Sequence, residues 1–252
     1  MIIQYGGASH RGKVRKSNED YFYIPINGDI ENVAMIADGM GGHNAGEIAS
    51  RMAVETVMEY LAQHMKQGGY SASPGDLVRE SFMKSNNKIF KCAESDEALQ
   101  GMGTTLVLSY FEGDTVHIGH IGDSRGYLVR NGTVIQVTKD HSLVQELLDN
   151  GTITLEEVEN HPQRNIITRA LGTDLTTEID YYRLPLEDGD IIILCTDGLV
   201  IHVDLLQNID LIQSGITMQE LSNALVSLAV EQGGLDNITV VAIKCSAAVK
   251  EG

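Results

Sequence analysis

Strand-like and helix-like stretches of this chain come in blocks and do not alternate one for one. That order most constrains its fold. Short runs rich in β-branched and aromatic residues, bounded by Gly, Asn or Asp, predict strands at 2–8, 20–26 and 32–37. Helical spacing of Ile48, Met52, Val54, Val57, Met58 and Leu61 then predicts a helix over 46–67, ended by Gly68-Gly69. A second helix is expected at 74–97, with Ser73 as N-cap and Pro74 in the first turn. Strands return at 104–111, 115–121, 126–130 and 133–138, and Asn131-Gly132 signals a hairpin between the last two. Short helical pieces at 143–150 and 155–160, strands at 178–183 and 190–195, a helix from Thr217 to Gly233-Gly234, and a strand at 238–245 complete the chain. Thr154 with Glu157, and Thr217 with Glu220, have capping-box spacing. A parallel α/β fold needs strict strand–helix alternation, so the blocks predict an α+β protein of antiparallel sheets with helices layered outside.

No linker, low-complexity tract or fixed-period repeat divides the sequence, which is read as a single domain, 1–252. Acidic residues number 35 and basic residues 18, a formal charge of −17. Such a charge repels nucleic acid phosphates and anionic lipid, and attracts cations. Cys92, Cys195 and Cys245 are too sparse and scattered for a disulfide framework or a zinc site, and all three read as packing residues. The N-terminus lacks the basic and apolar regions of a signal peptide. The longest aliphatic runs fall far short of the about twenty residues that span a membrane. A soluble, cytoplasmic protein is expected.

The informative residues are aspartates at strand ends. Asp38 follows 33–37, Asp197 follows 191–196, Asp123 follows 117–122, Asp236 precedes the strand at 238, and Asp20 opens another. Asp38-Gly39 and Asp197-Gly198 each end an apolar run. Taken singly, either pair reads as an ordinary turn, in which Asp bonds its own backbone and Gly supplies positive φ. Together, on stacked sheets, these carboxylates would converge at one rim. Converging carboxylates repel unless something positive lies between them. An oxygen-only ligand set selects hard divalent cations, Mg²⁺ or Mn²⁺. Two such cations would activate water and neutralise charge on phosphorus. Arg15, close to Glu19-Asp20, is suited to orient a phosphate through its planar fork, and reads equally as part of a solvated basic loop.

Eight motifs then occur in order: Gly12-x-x-Arg15-x-x-Asn18-Glu19-Asp20, Ala37-Asp38-Gly39-Met40-Gly41-Gly42-His43, Gly101-Met102-Gly103-Thr104-Thr105, Gly122-Asp123-Ser124-Arg125, Asp140-His141-Ser142-Leu143-Val144, His161-Pro162-Gln163-Arg164-Asn165, Thr196-Asp197-Gly198-Leu199 and Gly233-Gly234-x-Asp236-Asn237-Ile238-Thr239. In these the chain resembles the bacterial metal-dependent Ser/Thr protein phosphatases of the protein phosphatase 2C type. The wording is most similar to the Gram-positive subgroup that reverses a partner Ser/Thr kinase. The resemblance implies a β-sandwich of two antiparallel sheets flanked by pairs of helices, four layers in all. It implies hydrolysis of phosphoserine and phosphothreonine in proteins at two Mn²⁺ or Mg²⁺ ions, with a weaker third. Asp38 would bridge the two ions, Asp197 and Asp236 would complete the ligand set of the first ion, and the Gly39 carbonyl would bind the second ion. Glu19 and Asp20 would hold water, Asp123 with Asp197 would form the third site, and Arg15 would grip the phosphate. His43 is either proton donor to the leaving oxygen or a cap of the following helix. Residues 141–169 match the family's flap, read as a substrate-selecting loop or a static lid, with His161 as a candidate substrate contact. Phosphoproteins and a cognate kinase are the implied partners, and a monomer is expected. An aspartate common in the family before the first motif glycine is missing from Ser9-His10-Arg11-Gly12. Two other readings are an inactive relative that only binds phosphoproteins or a kinase, and a different two-metal hydrolase. The first would be expected to lack a ligand, and all are present. The acidic balance disfavours a nuclease.

Overall fold

A computed structural model describes residues 1–25, 30–41, 45–66, 73–158 and 160–247. Two antiparallel sheets stack face to face. One runs β1 (Ile2–His10), β11 (Ile238–Ser246), β10 (Ile191–Cys195), β7 (Arg125–Arg130), β8 (Thr133–Gln136). The other runs β2 (Asp20–Tyr23), β3 (Val33–Met40), β5 (Leu106–Glu112), β6 (Thr115–Ile121), β9 (Asp180–Pro185), with the short β4 (Gly103–Thr104) also paired to β3. Helices α1 (Ala45–Lys66) and α2 (Pro74–Ser95) pack together over the second sheet. Helix α7 (Met218–Glu231) covers the first, with the short α5 (Asp197–Val200) and α6 (Ile209–Ile212) preceding it in the chain. The expected four layers are present.

The layers follow from period-two alternation on strands buried on both faces. Along β3, Val33, Met35 and Ala37 enter the core under α1 and α2, while Ala34 and Ile36 enter the core between the sheets. Along β10, Ile191, Ile193 and Cys195 face α7, while Ile192 and Leu194 face the other sheet. Cys195 and Cys245 are buried packing residues, and Cys92 packs half-buried against the helical core.

Local signals act as read. The Ser73 side chain accepts the Asp76 N–H, with Pro74 in the first turn of α2. Thr217 and Glu220 form the complete capping box of α7. The structure differs from the sequence reading at the second strand, which ends at Tyr23 (Ile26 lies outside the described residues), at β3, which runs on to Met40, and in the four-residue α5 and α6, which are too short to show apolar periodicity. Among the described residues, no helix is long and apolar enough to cross a membrane.

Phe82 is fully buried in the layer between α2 and its sheet. Phe82→Ala should lower the unfolding free energy by about 3–5 kcal/mol in denaturant titration. A loss below about 1 kcal/mol would show that docking of α2 does not depend on this ring.

Candidate metal centre

Both sheets bring carboxylates to one rim. Asp20, first residue of β2, lies directly opposite Asp38 of β3. Asp38-Gly39 is not a turn: β3 continues because Gly39 and Met40 pair with Thr104 and Gly103 of β4. Threonines fix the Asp38 backbone. Its N–H donates to Thr105 Oγ1 at 2.9 Å, and its carbonyl accepts from Thr105 N at 2.9 Å and Thr104 Oγ1 at 2.8 Å. Asp197-Gly198 has the same two residues but starts α5, with Thr196 as the preceding cap residue.

Close backbone approach explains the two glycines. A Cβ on Gly39 would lie 2.0 Å from the Gly46 carbonyl oxygen and 2.7 Å from that of Glu19. A Cβ on Gly198 would lie 1.9 Å from the Asn237 carbonyl oxygen. Glu19 and the start of α1 therefore crowd against β3, and Asp197 sits beside the 236–237 loop.

Asn237 ties that loop to the 11–19 segment. Its Oδ1 accepts the Glu19 N–H at 2.8 Å, and its Nδ2 donates to the carbonyls of Arg11 and Ser17 at 2.8 and 2.9 Å. Arg15 Nη2 donates to Asp236 Oδ2 at 2.7 Å, which holds the guanidinium still more firmly charged, and Asp236 Oδ1 accepts the Asn237 N–H at 2.8 Å.

The remaining aspartates are less well served. Asp20 Oδ2 accepts from Thr196 Oγ1 at 3.0 Å and Thr239 Oγ1 at 2.6 Å, both on the opposite sheet's side of the sandwich. Buried Oδ1 atoms of Asp20, Asp123 and Asp197 have no hydrogen-bond partner. Burial pushes the Asp20 carboxyl up to about 7, Asp123 to about 8 and Asp197 to about 6, with neighbouring aspartates adding to each. Asp38 is pushed well above the usual carboxylate range, first by burial and then by Asp20, Asp197, Asp123 and Asp236. Burial also raises Glu19, against the opposing pull of Arg15.

The structure thus gathers Arg15, Glu19, Asp20, Asp38, Gly39, Asp123, Asp197 and Asp236. His43 lies outside the described residues. His161 makes a local contact, its Nδ1 accepting the Gln163 N–H at 3.2 Å. Residues 141–169 carry α3 (Leu143–Asp149) and α4 (Leu155–Val158), closed at the base by Ser142 pairing with Ile167. Sequence reasoning assigned no role to Thr105, Thr196, Thr239 or Asn237, although each stands in or beside a motif. A buried oxygen-rich cluster with unpaired acceptors fits hard divalent cations, since only a proton or a cation relieves the repulsion.

In the metal-free chain, the folded values of Asp20, Asp123 and Asp197 stand above the ordinary 3.8. The folded state then retains protons that the unfolded chain has released, so the contribution of these groups to stability is full below about pH 4 and is lost as pH rises through these values. The Tm of chelator-treated protein should fall from about pH 5 to about pH 8 in calorimetry. A flat or rising Tm would show these carboxylates ionised in the fold.

A protein phosphatase 2C family model matches residues 6–228. The serine/threonine phosphatase stp of Listeria welshimeri is 39 % identical over 237 residues, 93 % of this chain and 92 % of its own length. Protein phosphatase PhpP of Streptococcus pneumoniae is 39 % identical over 238 residues, 92 % of this chain and 93 % of its own. Among solved structures, the Mycobacterium tuberculosis phosphatase PstP/Ppp superposes with a TM-score of 0.88 at 36 % identity, over 98 % of this chain and 100 % of that one. The PstP catalytic domain in complex with two manganese ions gives 0.84 at 34 % identity, over 97 % and 99 %. Matched by the family model over residues 6–228 and by relatives over more than nine-tenths of its length, this chain belongs to the protein phosphatase 2C family.

Proposed function

We propose that this chain hydrolyses phosphoserine and phosphothreonine in proteins with water as the nucleophile, as one phosphatase domain. The observation that carries this reading is the set of buried aspartates with unpaired oxygens and raised proton affinity. Asp38, the Gly39 carbonyl, Asp197 and Asp236 would hold two Mn²⁺ or Mg²⁺ ions, Glu19 and Asp20 would orient their waters, and Asp123 with Asp197 would hold a weaker third. Bound there, such ions supply Lewis-acid activation of water and neutralise charge on the phosphoryl group. The names of the relatives and the two manganese ions of the PstP domain support the assignment.

Arg15 serves the phosphate. One arm of its fork is fixed by Asp236, and the half-exposed guanidinium has further donors for non-bridging oxygens. No side chain is needed as nucleophile. Cys195, the thiol beside the Asp197 motif, is fully buried and pushed up to about 12, so it stays protonated. Transfer directly to water releases inorganic phosphate and restores the serine or threonine hydroxyl in the protein substrate. On the same reading the chain acts as a cytoplasmic monomer and opposes a Ser/Thr kinase.

Asp38→Ala and Asp236→Ala should each abolish turnover of a phosphopeptide while cooperative thermal unfolding persists. Chelation should silence the parent, and added Mn²⁺ should restore it. Turnover that survives thorough chelation would overturn the reading. For His43 as proton donor, His43→Ala should slow alkyl phosphates far more than aryl phosphates, whose leaving groups need little protonation. Equal loss on both would reject that role.

A further inference from the structure

A second cluster, of two buried histidines and a half-buried aspartate, lies outside the rim just described. It joins His120 at the end of β6, His141 at the first residue of the flap, and Asp180 at the start of β9, with one ligand-type atom of each within 4.8 Å of the others. The hydrogen bonds argue against a transition-metal site. His141 Nδ1 accepts the Gly122 N–H at 3.1 Å, so the proton of the neutral ring sits on Nε2, 3.2 Å from Asp180 Oδ2. A metal on Nε2 would move that proton to Nδ1, where it would face another N–H. His120 Nε2 donates to the Ser124 carbonyl at 2.9 Å, which leaves Nδ1 as the lone pair of that ring, without a hydrogen-bond partner; His141 Nε2, though 3.2 Å from Asp180, makes no hydrogen bond either. One lone pair and one carboxylate are too few for a closed structural zinc site. Burial keeps both rings neutral, His120 being lowered to about 3.

What these groups grip is the loop from Gly122 to Arg125. His141 N–H donates to Gly122 O at 2.8 Å while Gly122 N–H donates back to the ring, a reciprocal pair. Arg125 forks onto the adjacent Asp140 through Nε at 2.9 Å and Nη2 at 2.7 Å. Ser124 is held by His120 through its carbonyl and by Thr105 through its hydroxyl at 2.7 Å, and Thr105 also receives the Asp38 N–H. Asp123 is thus bracketed by fixed neighbours. Toward the flap, His141 O accepts the Thr168 N–H at 2.8 Å, and Arg169 Nη1 donates to Asp180 Oδ1 at 3.2 Å. His141 therefore touches the Asp123 loop, β9 through Asp180, and both ends of the flap.

We propose that His141 is a positioning residue: through Gly122 it sets the Asp123 carboxylate at the metal rim, and through Asp180 and Thr168 it ties that setting to the base of the 141–169 flap. The proposal rests on Asp123 being a ligand of the weaker third ion. Outer partners of metal ligands are commonly worth about 10–100-fold in metal affinity.

Two shortened rings separate the contacts. Asn at 141 offers an amide near the Nδ1 position, and Gln offers one near Nε2. Mn²⁺ titrations of the full chain, followed by electron paramagnetic resonance, should show the weak ion bound about tenfold or more less tightly in His141→Gln, and within about threefold of the parent in His141→Asn. The two tight ions should be unchanged in both. Phosphopeptide kcat should fall with the weak ion in His141→Gln and recover in His141→Asn. Equal losses in both variants, tracking an equal drop in Tm, would reduce His141 to a packing residue and overturn the proposal. Asp123→Asn is the reference. Loss of the weak ion there, with the parent isotherm kept in His141→Gln, overturns the role of His141 alone. A parent isotherm in Asp123→Asn overturns the ligand reading beneath it. One equivalent of Zn²⁺ taken up by the parent and lost in His120→Ala would make the cluster a metal site and reject the proposal.

Discussion

A carboxylate from one sheet, buried against two hydroxyls from the other, governs the geometry of this molecule's working end. Asp20 belongs to β2, and the threonines that donate to its Oδ2 stand just after β10 and at the second position of β11. The contact locks the two sheets at the rim where their apolar faces run out. Alternation shows why the rim is polar there. On β3 the intersheet face reads Ala34, Ile36 and then Asp38; on β10 it reads Ile192, Leu194 and then Thr196. On β11, Thr239 continues the line of Val241 and Ile243. The site is the polar continuation of the sandwich core. A one-residue register slip would turn Asp38 toward the helices and dismantle it.

That placement is unfavourable in itself. Asp20 and Asp38 are directly opposed across two strands, where like charges destabilise the pair. Burial raises the proton affinity of each, and the neighbouring aspartates raise it again. The arrangement persists because backbone and neutral donors over-determine it: Thr105 and Thr104 on Asp38, Thr196 and Thr239 on Asp20, Asn237 between the 11–19 and 236–237 loops. Strain of this kind, concentrated at one place and supported all round, is characteristic of functional sites. The unpaired Oδ1 atoms of Asp20, Asp123 and Asp197 are its visible residue.

The layers and the acidic strand ends were legible in the sequence because both depend on short-range pattern. Period-two apolar runs, Ser73 before Pro74, and Thr217 with Glu220 each act within a few residues. Identical dipeptides marked two members of the site, yet Asp38-Gly39 stays in a strand and Asp197-Gly198 opens a helix. The difference lies in partners far along the chain: β4 continues the ladder beyond Ala37, and Asn237 presses on Gly198. The supporting threonines were not legible for the same reason. Thr239 stands in the last motif, but its partner Asp20 lies 219 positions away, and nothing near Thr239 in the sequence points to it. His120 and Asp180 likewise meet because β6 pairs with β9 in a register that sets them opposite each other, and His141 joins them through its bonds to Gly122.

The charge of the chain gives the centre its last constraint. A protein of formal charge −17 repels a phosphorylated segment before contact. Arg15 cannot reverse that field alone, since Asp236 already pairs with it. Bound cations become the largest local charges in such a site and invert its sign. The carboxylates that would turn a phosphate away when bare become the scaffold of its receptor when loaded. On the proposed reading, affinity for substrate would be conditional on metal through electrostatics, before any chemistry at phosphorus. On this argument the acidic excess is part of the selectivity: it leaves the loaded rim as the favourable landing place for a phosphate on an otherwise repellent surface.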